Sequence, residues 1–266
     1  ASNPCVLSAL PLFSHMQTPL YILTGASRGM GLSLAEQLLA PDHRLLCISR
    51  HSNAALSEMA AQKSCQLTQW ALDLAAAQAV AEQLSQWLQS LNKDSLLSAT
   101  LINNAGVIPA IAPLSDSDPA ELTNALRVGL EAPLLLTSAF LNNTACMQMP
   151  RKVLNISSGL GRRPMASQTA YCAAKAGLDH FTRCLALEEA GKSNGAKVCA
   201  LAPGVIDTDM QLQLRSASMA LFPDQAGFAL LKQQGQLTST HDAAARVLAR
   251  LHRSDFGDQP VADVRE

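Results

Sequence analysis

Nowhere does this sequence run for about 18 apolar residues without interruption, so no membrane-spanning helix is expected. A basic surplus is also missing. Twenty lysines and arginines face 21 aspartates and glutamates, and the formal charge of −1 offers no complementary field to nucleic acid or to an anionic membrane. The seven cysteines include no Cys-x-x-Cys pair, and neither they nor the six histidines show metal-ligand spacing. They read as reduced, mostly buried thiols of a cytosolic protein without a metal site. Repeats, low-complexity tracts and linker-like stretches are absent, which leaves one domain. The chain has 266 residues, of which 48% are apolar, enough for one large buried core and too many for disorder.

Residues 1–15 precede Met16 and lack a basic segment at their start. They are expected to be a leader or a remnant of processing or cloning, with the single domain spanning 16–266. Within it, apolar runs alternate with helical patterns. Strands are predicted at 20–24, 44–49, 66–74, 100–106, 153–158, 197–204 and 259–263. Helices are predicted at 29–40, 53–63, 76–91, 118–141, 167–190 and 240–252, with an irregular helical segment at 207–235. Strand–helix alternation implies right-handed parallel crossovers, hence an α/β fold: one doubly wound, Rossmann-type sheet of about seven parallel strands flanked by helices.

Between the first strand and first helix lies Thr24-Gly25-Ala26-Ser27-Arg28-Gly29-Met30-Gly31. Glycines there let the backbone turn tightly and admit a pyrophosphate to main-chain N–H groups, while the helix adds the positive end of its dipole. Its place, directly after a strand and before a helix, is what this mechanism requires. A dinucleotide fold aims the end of strand two at the adenosine ribose. An acid there favours NAD, whereas arginine accommodates the extra phosphate of NADP. Here the residues are Ser49-Arg50-His51 with no acid, and Arg28 lies in the turn, so NADP(H) is expected over NAD(H). Two solvated surface arginines are the plainer alternative.

Tyr171 and Lys175 stand four apart on a predicted helix and share a face. A nearby ammonium would lower the phenol's pKa, fitting Tyr171 to protonate a carbonyl oxygen. Ser158, ending strand five, would hydrogen-bond that oxygen. A lone Tyr-x-x-x-Lys is common in helices. This one follows the glycine turn and Asn103-Asn104-Ala105-Gly106 and precedes Pro203-Gly204, all at carboxyl ends of predicted parallel strands.

Taken together, these motifs resemble the short-chain dehydrogenase/reductase family over roughly 190 residues. The resemblance implies hydride transfer from a nicotinamide cofactor, with Ser158, Tyr171 and Lys175 as the catalytic trio. It also implies cofactor contacts at Asp73 and Leu74, along Asn104, Ala105 and Gly106, and at Pro203, Gly204, Ile206 and Thr208. A narrower likeness to sepiapterin reductases and their bacterial benzil-reductase-type relatives rests on Tyr171-Cys172-Ala173-x-Lys175, Leu185-Ala186-Leu187-Glu188-Glu189 and Asp207-Thr208-Asp209-Met210-Gln211. It implies a small-molecule carbonyl substrate, namely a ketone, a vicinal dicarbonyl or a pterin side chain. Gly204, Met210, Gln211 and Asp263 would line its site beside Ser158 and Tyr171, with Asp263 matching the aspartate that anchors the pterin. The family's relay asparagine is replaced by Gly129, with Asn124 and Glu131 nearby.

Asp207 is expected to cap the next helix. The apolar residues Met210, Leu212, Leu214, Met219, Leu221 and Phe222 form a lid, a piece of core or a subunit contact. The apolar stripes of the helices at 118–141 and 167–190 suggest a homodimer or homotetramer. A dinucleotide-binding regulator without turnover is the alternative to an enzyme.

Overall fold

Leu20 and Ile22 of strand β1 (Thr18–Thr24) face one side of a sheet and Tyr21 and Leu23 the other, and all four are buried. Such two-sided burial belongs to a parallel sheet covered by helices on both faces. The structure is a computed structural model that describes residues 17–266. The expected leader, 1–15, lies outside the described residues.

Six further strands join β1, all in parallel: β2 (Arg44–Ser49), β3 (Gln66–Ala71), β4 (Leu96–Asn103), β5 (Arg151–Ile156), β6 (Lys197–Ala202) and β7 (Val261–Asp263). Their spatial order is β3-β2-β1-β4-β5-β6-β7, so the winding reverses between β1 and β4 and opens a crevice at their carboxyl ends. The expected seven-stranded, doubly wound sheet is what the chain forms.

On one face, α1 (Gly29–Leu38), α2 (Ala54–Gln62) and α9 (Thr240–His252) bury Leu34, Leu38, Leu56, Val247 and Leu251. On the other, α3 (Ala77–Ser90), α5 (Ala132–Thr144) and α6 (Thr169–Ala190) bury Leu84, Leu88, Leu136, Phe140 and Leu185. Among the described residues no helix is long and apolar enough to cross a membrane.

Several boundaries differ from the sequence reading. The helix expected over 118–141 is α4 (Pro119–Leu126) and α5 joined by a wide π turn, Arg127–Glu131, in which the Ala132 N–H donates to the Arg127 carbonyl. Val128 and Gly129 are buried in that turn. The irregular segment 207–235 resolves into α7 (Asp209–Arg215) and α8 (Gln225–Gln233). Strand β3 ends at Ala71, and Asp73 then caps a short 3-10 turn by accepting from the Ala75 N–H at 2.9 Å. Thr208, not Asp207, caps α7: its hydroxyl accepts from the Gln211 N–H, while Asp207 is held by Arg215 and Lys232. A free helix end and two cations compete for the same short stretch, and the cations take the carboxylate.

Candidate active site

Thr24, the last residue of β1, staples two strand ends together. Its hydroxyl accepts from the N–H groups of Asn104 and Ala105, both at 3.0 Å, and its carbonyl accepts from the Asn104 side-chain amide at 3.0 Å. The turn that follows is built by close approach. A β-carbon on Gly31 would lie 2.0 Å from the Gly25 carbonyl oxygen, which no side chain can do, and Gly25 holds φ at +73°. Ser49, at the end of β2, contributes a contact the sequence did not reveal: its hydroxyl accepts from the Ala26 N–H at 2.8 Å. The glycine turn is thereby pinned to β2 and β4 on either side.

This turn forms one end of a cleft of about 400 Å³ over the carboxyl ends of the strands. Gly25, Ser27, Arg28, Gly29, Met30, Gly31 and Arg50 line it, as do Asp73, Leu74, Asn104, Ala105 and Gly106. So do Ser158, Tyr171, Lys175, Pro203, Gly204, Ile206, Thr208, Met210, Gln211 and Asp263. His51 is the exception among the expected residues. It follows Arg50 in an exposed bend and stands outside the lining. Asn124 lines the cleft, but Glu131 does not. The sequence reading also missed Arg163, Gln168 and Arg265, which come from loops and a chain end with no periodic signal, and Phe228 of α8.

The arginines divide their work. Arg28 Nη1 lies 2.8 Å from the Asp209 carboxylate, so this guanidinium ties the glycine turn to α7 across the cleft mouth. Arg50 is exposed and lines the cleft without an ion-pair partner among the described residues. Asp263 is buried and gripped by Arg265 through two side-chain bonds of 2.8 and 2.6 Å, which hold its carboxyl below the ordinary aspartate range. The aspartate of the narrower resemblance therefore enters the cleft wall already paired.

At the centre, Ser158 begins a 3-10 turn (Gly159–Gly161) and its hydroxyl accepts from the Leu160 N–H at 3.1 Å. Tyr171 sits in the first turn of α6, half-buried. Lys175 follows one turn on, 4% exposed, its Nζ 5.7 Å from the centre of the Tyr171 ring. The ammonium donates to the Ile156 carbonyl at 2.7 Å. Gly106 approaches so near that a β-carbon on it would lie 3.7 Å from that Nζ.

Burial dominates the titration of both groups. It pushes the Tyr171 phenol up to about 12, against the lowering effect of the Ser158 hydroxyl. Burial likewise brings Lys175 down to about 8, while the negative Asp179 pulls it upward. The lowering expected for the phenol from the sequence is not found: desolvation is the largest influence on it, and the lowering partner is the Ser158 hydroxyl. Asp179, buried one turn beyond Lys175, hydrogen-bonds Ser157 and takes the Arg162 Nε at 3.2 Å. Cys172 is half-buried with its thiol raised by burial, as an unreactive cysteine should be. No cluster of metal-binding side chains exists among the described residues.

A parallel sheet with a glycine turn at its switch point, and Ser, Tyr and Lys converging beside it, defines a dinucleotide-dependent oxidoreductase class. The family model described as short chain dehydrogenase matches residues 20–218. The chain is 34% identical over 245 residues to a benzil reductase ((S)-benzoin forming) of Bacillus cereus, covering 92% of this chain and 98% of that one. It is 34% identical over 249 residues to the sepiapterin reductase of Meriones unguiculatus, covering 88% and 92%. A crystal structure of a short-chain dehydrogenase/reductase from Burkholderia vietnamiensis superposes with a TM-score of 0.62 at 34% identity, covering 93% of this chain and 97% of that one. The chain belongs to the short-chain dehydrogenase/reductase family, whose fold binds a nicotinamide dinucleotide.

Proposed function

We propose that the protein reduces a carbonyl compound to an alcohol with NADPH, the substrate being a ketone, a vicinal dicarbonyl or a pterin side chain. The observation that carries this reading is the placement of the Tyr171 phenol beside Ser158 and Lys175 in the cleft. The reductase names of the two relatives agree with it.

The cleft fits the dinucleotide on an observation of its own: the Gly25–Gly31 turn is a cradle that any β-carbon on Gly31 would fill. Gly25, Ser27, Gly29, Met30 and Gly31 would hold the phosphates, with Asp73, Leu74, Asn104, Ala105 and Gly106 along the nucleotide. Pro203, Gly204, Ile206 and Thr208 would border the nicotinamide. Arg50, and Arg28 when released from Asp209, would take the 2′-phosphate that distinguishes NADPH. When bound, the reduced nicotinamide supplies hydride to the carbonyl carbon.

The protein's own groups do the rest. Tyr171 delivers its hydroxyl proton to the carbonyl oxygen, a phenol being protonated at neutral pH. Ser158 Oγ donates to the same oxygen and fixes its approach. Lys175 holds positive charge beside the ring, and that charge favours the phenolate left by proton transfer. Leu126, Leu134 and Leu187 remain exposed on α4, α5 and α6, which supports a homodimer or tetramer built on these helices.

The test is NADPH oxidation by the protein with a panel of diketones and pterins, alongside NADH. Turnover with NADPH, lost in Tyr171→Phe, is the expected result. Binding of NADPH without turnover of any carbonyl would mark a regulator, and full activity in Tyr171→Phe would remove the tyrosine from its role.

A further inference from the structure

The described residues leave few buried polar side-chain atoms unpaired: one on Asn103, one on Arg151, and both the nitrogen and the oxygen of Gln211. Of these three residues only Gln211 lines the cleft. It is 3% exposed. A buried carboxamide with no partner is costly, and a fold that retains one at a ligand site leaves it for the ligand to satisfy.

Gln211 cannot readily swing away. Helix α7 is held at its start by the Thr208 cap and the Asp209–Arg28 pair, and near its end by Arg215 on Asp207 and by Gln213 Nε2 on the Pro109 carbonyl at 3.2 Å. The apolar residues Met210, Leu214 and Phe228 line the same cleft. Another polar group of the wall, Asp263, is already committed to Arg265.

We propose that Gln211 is a specificity-determining residue whose carboxamide N–H donates to a second carbonyl oxygen adjacent to the one being reduced. This rests on the carbonyl-reductase reading above. It commits the substrate class to ketones that carry a neighbouring acceptor, such as vicinal dicarbonyls. An aryl ketone without that second oxygen offers the carboxamide no acceptor.

The probes are 1-phenylpropane-1,2-dione and propiophenone, which differ by that oxygen. In Gln211→Leu, kcat/KM for the dione falls at least tenfold, chiefly through KM, while kcat/KM for propiophenone stays within threefold. The same variant melts at a higher temperature than wild type, because an unpaired buried amide has been removed. Gln211→Met serves as a second variant if the leucine disturbs folding.

Equal losses on both ketones, or no loss on either, would overturn the assignment. So would a raised KM for NADPH with unchanged ketone preference, which would give Gln211 to the nicotinamide instead. A lowered melting temperature in both variants would mean that the amide is already satisfied, and would overturn it as well. Failure of the wild type to reduce any carbonyl is a different outcome, because it removes the reductase reading itself.

Discussion

Gly129 and Ala174 meet so closely that a β-carbon on Gly129 would lie 3.1 Å from the Ala174 Cβ. The glycine stands where the family resemblance places a relay asparagine, and it lets the wide turn after α4 press onto α6 one residue before Lys175. An amide side chain has no room there unless the helices part. Gly129→Asn is therefore expected to lose about 1–3 kcal/mol by overpacking and to gain no activity. Thermal melting and kcat on the dione check it, and a faster enzyme of unchanged stability would show that a relay amide fits after all.

Lys175 predicts a pH signature. Its folded pKa of about 8 lies below the free value of 10.5. The cost of burying its charge is therefore full below pH 8 and fades as pH rises toward the free value. A tenfold change in proton affinity is worth about 1.4 kcal/mol, so Lys175→Met should raise stability at pH 7 by a few kcal/mol at most, less whatever the Ile156 carbonyl loses. The gain should shrink near pH 10, and activity should be lost at both. Denaturant titrations at the two pH values decide it.

Asp179 should act through that same lysine. Removing its charge in Asp179→Asn takes away what pulls Lys175 upward, so the basic limb of the activity profile is expected to move to lower pH. A merely structural loss would reduce kcat without moving the limb. The pH dependence of kcat/KM, compared with wild type, distinguishes the two.

The two cleft arginines should separate under mutation. Arg50→Ala is expected to cost at least tenfold in kcat/KM with NADPH and little with NADH. Asp209→Asn frees Arg28 from a pair whose side chains are 68% and 73% exposed, so NADPH should bind a few-fold tighter at low salt and the gain should fade as salt screens it. Cofactor titrations at two ionic strengths measure both.

Much of this site was legible because it lies where short apolar strands end. The glycine turn, Asn104, Ser158, Tyr171 and Lys175 each follow a strand or lie near the start of a helix whose pattern is unambiguous, and the parallel, doubly wound sheet follows from their alternation. The wide turn at 127–131 was not legible, since five helical residues with one extra in the ring carry no composition of their own. Nor was the capping exchange between Asp207 and Thr208, which is settled by Lys232 more than twenty residues away. His51 lies outside the cleft lining, in the exposed bend it shares with Arg50. The burial of Gln211 and the pairing of Asp263 with Arg265 depend on tertiary neighbours that no local pattern encodes.

The wide turn also sets the phase of everything beyond it on the same rod. One residue above ordinary winding advances each later side chain by about 100° around the axis. Leu136 and Phe140 meet the layer of Leu84 and Val153 with that advance included. Shortening 127–131 by a single residue would leave a straighter helix whose oily stripe points sideways, so the surplus residue behaves as a gear tooth that the rest of the packing has been cut to match.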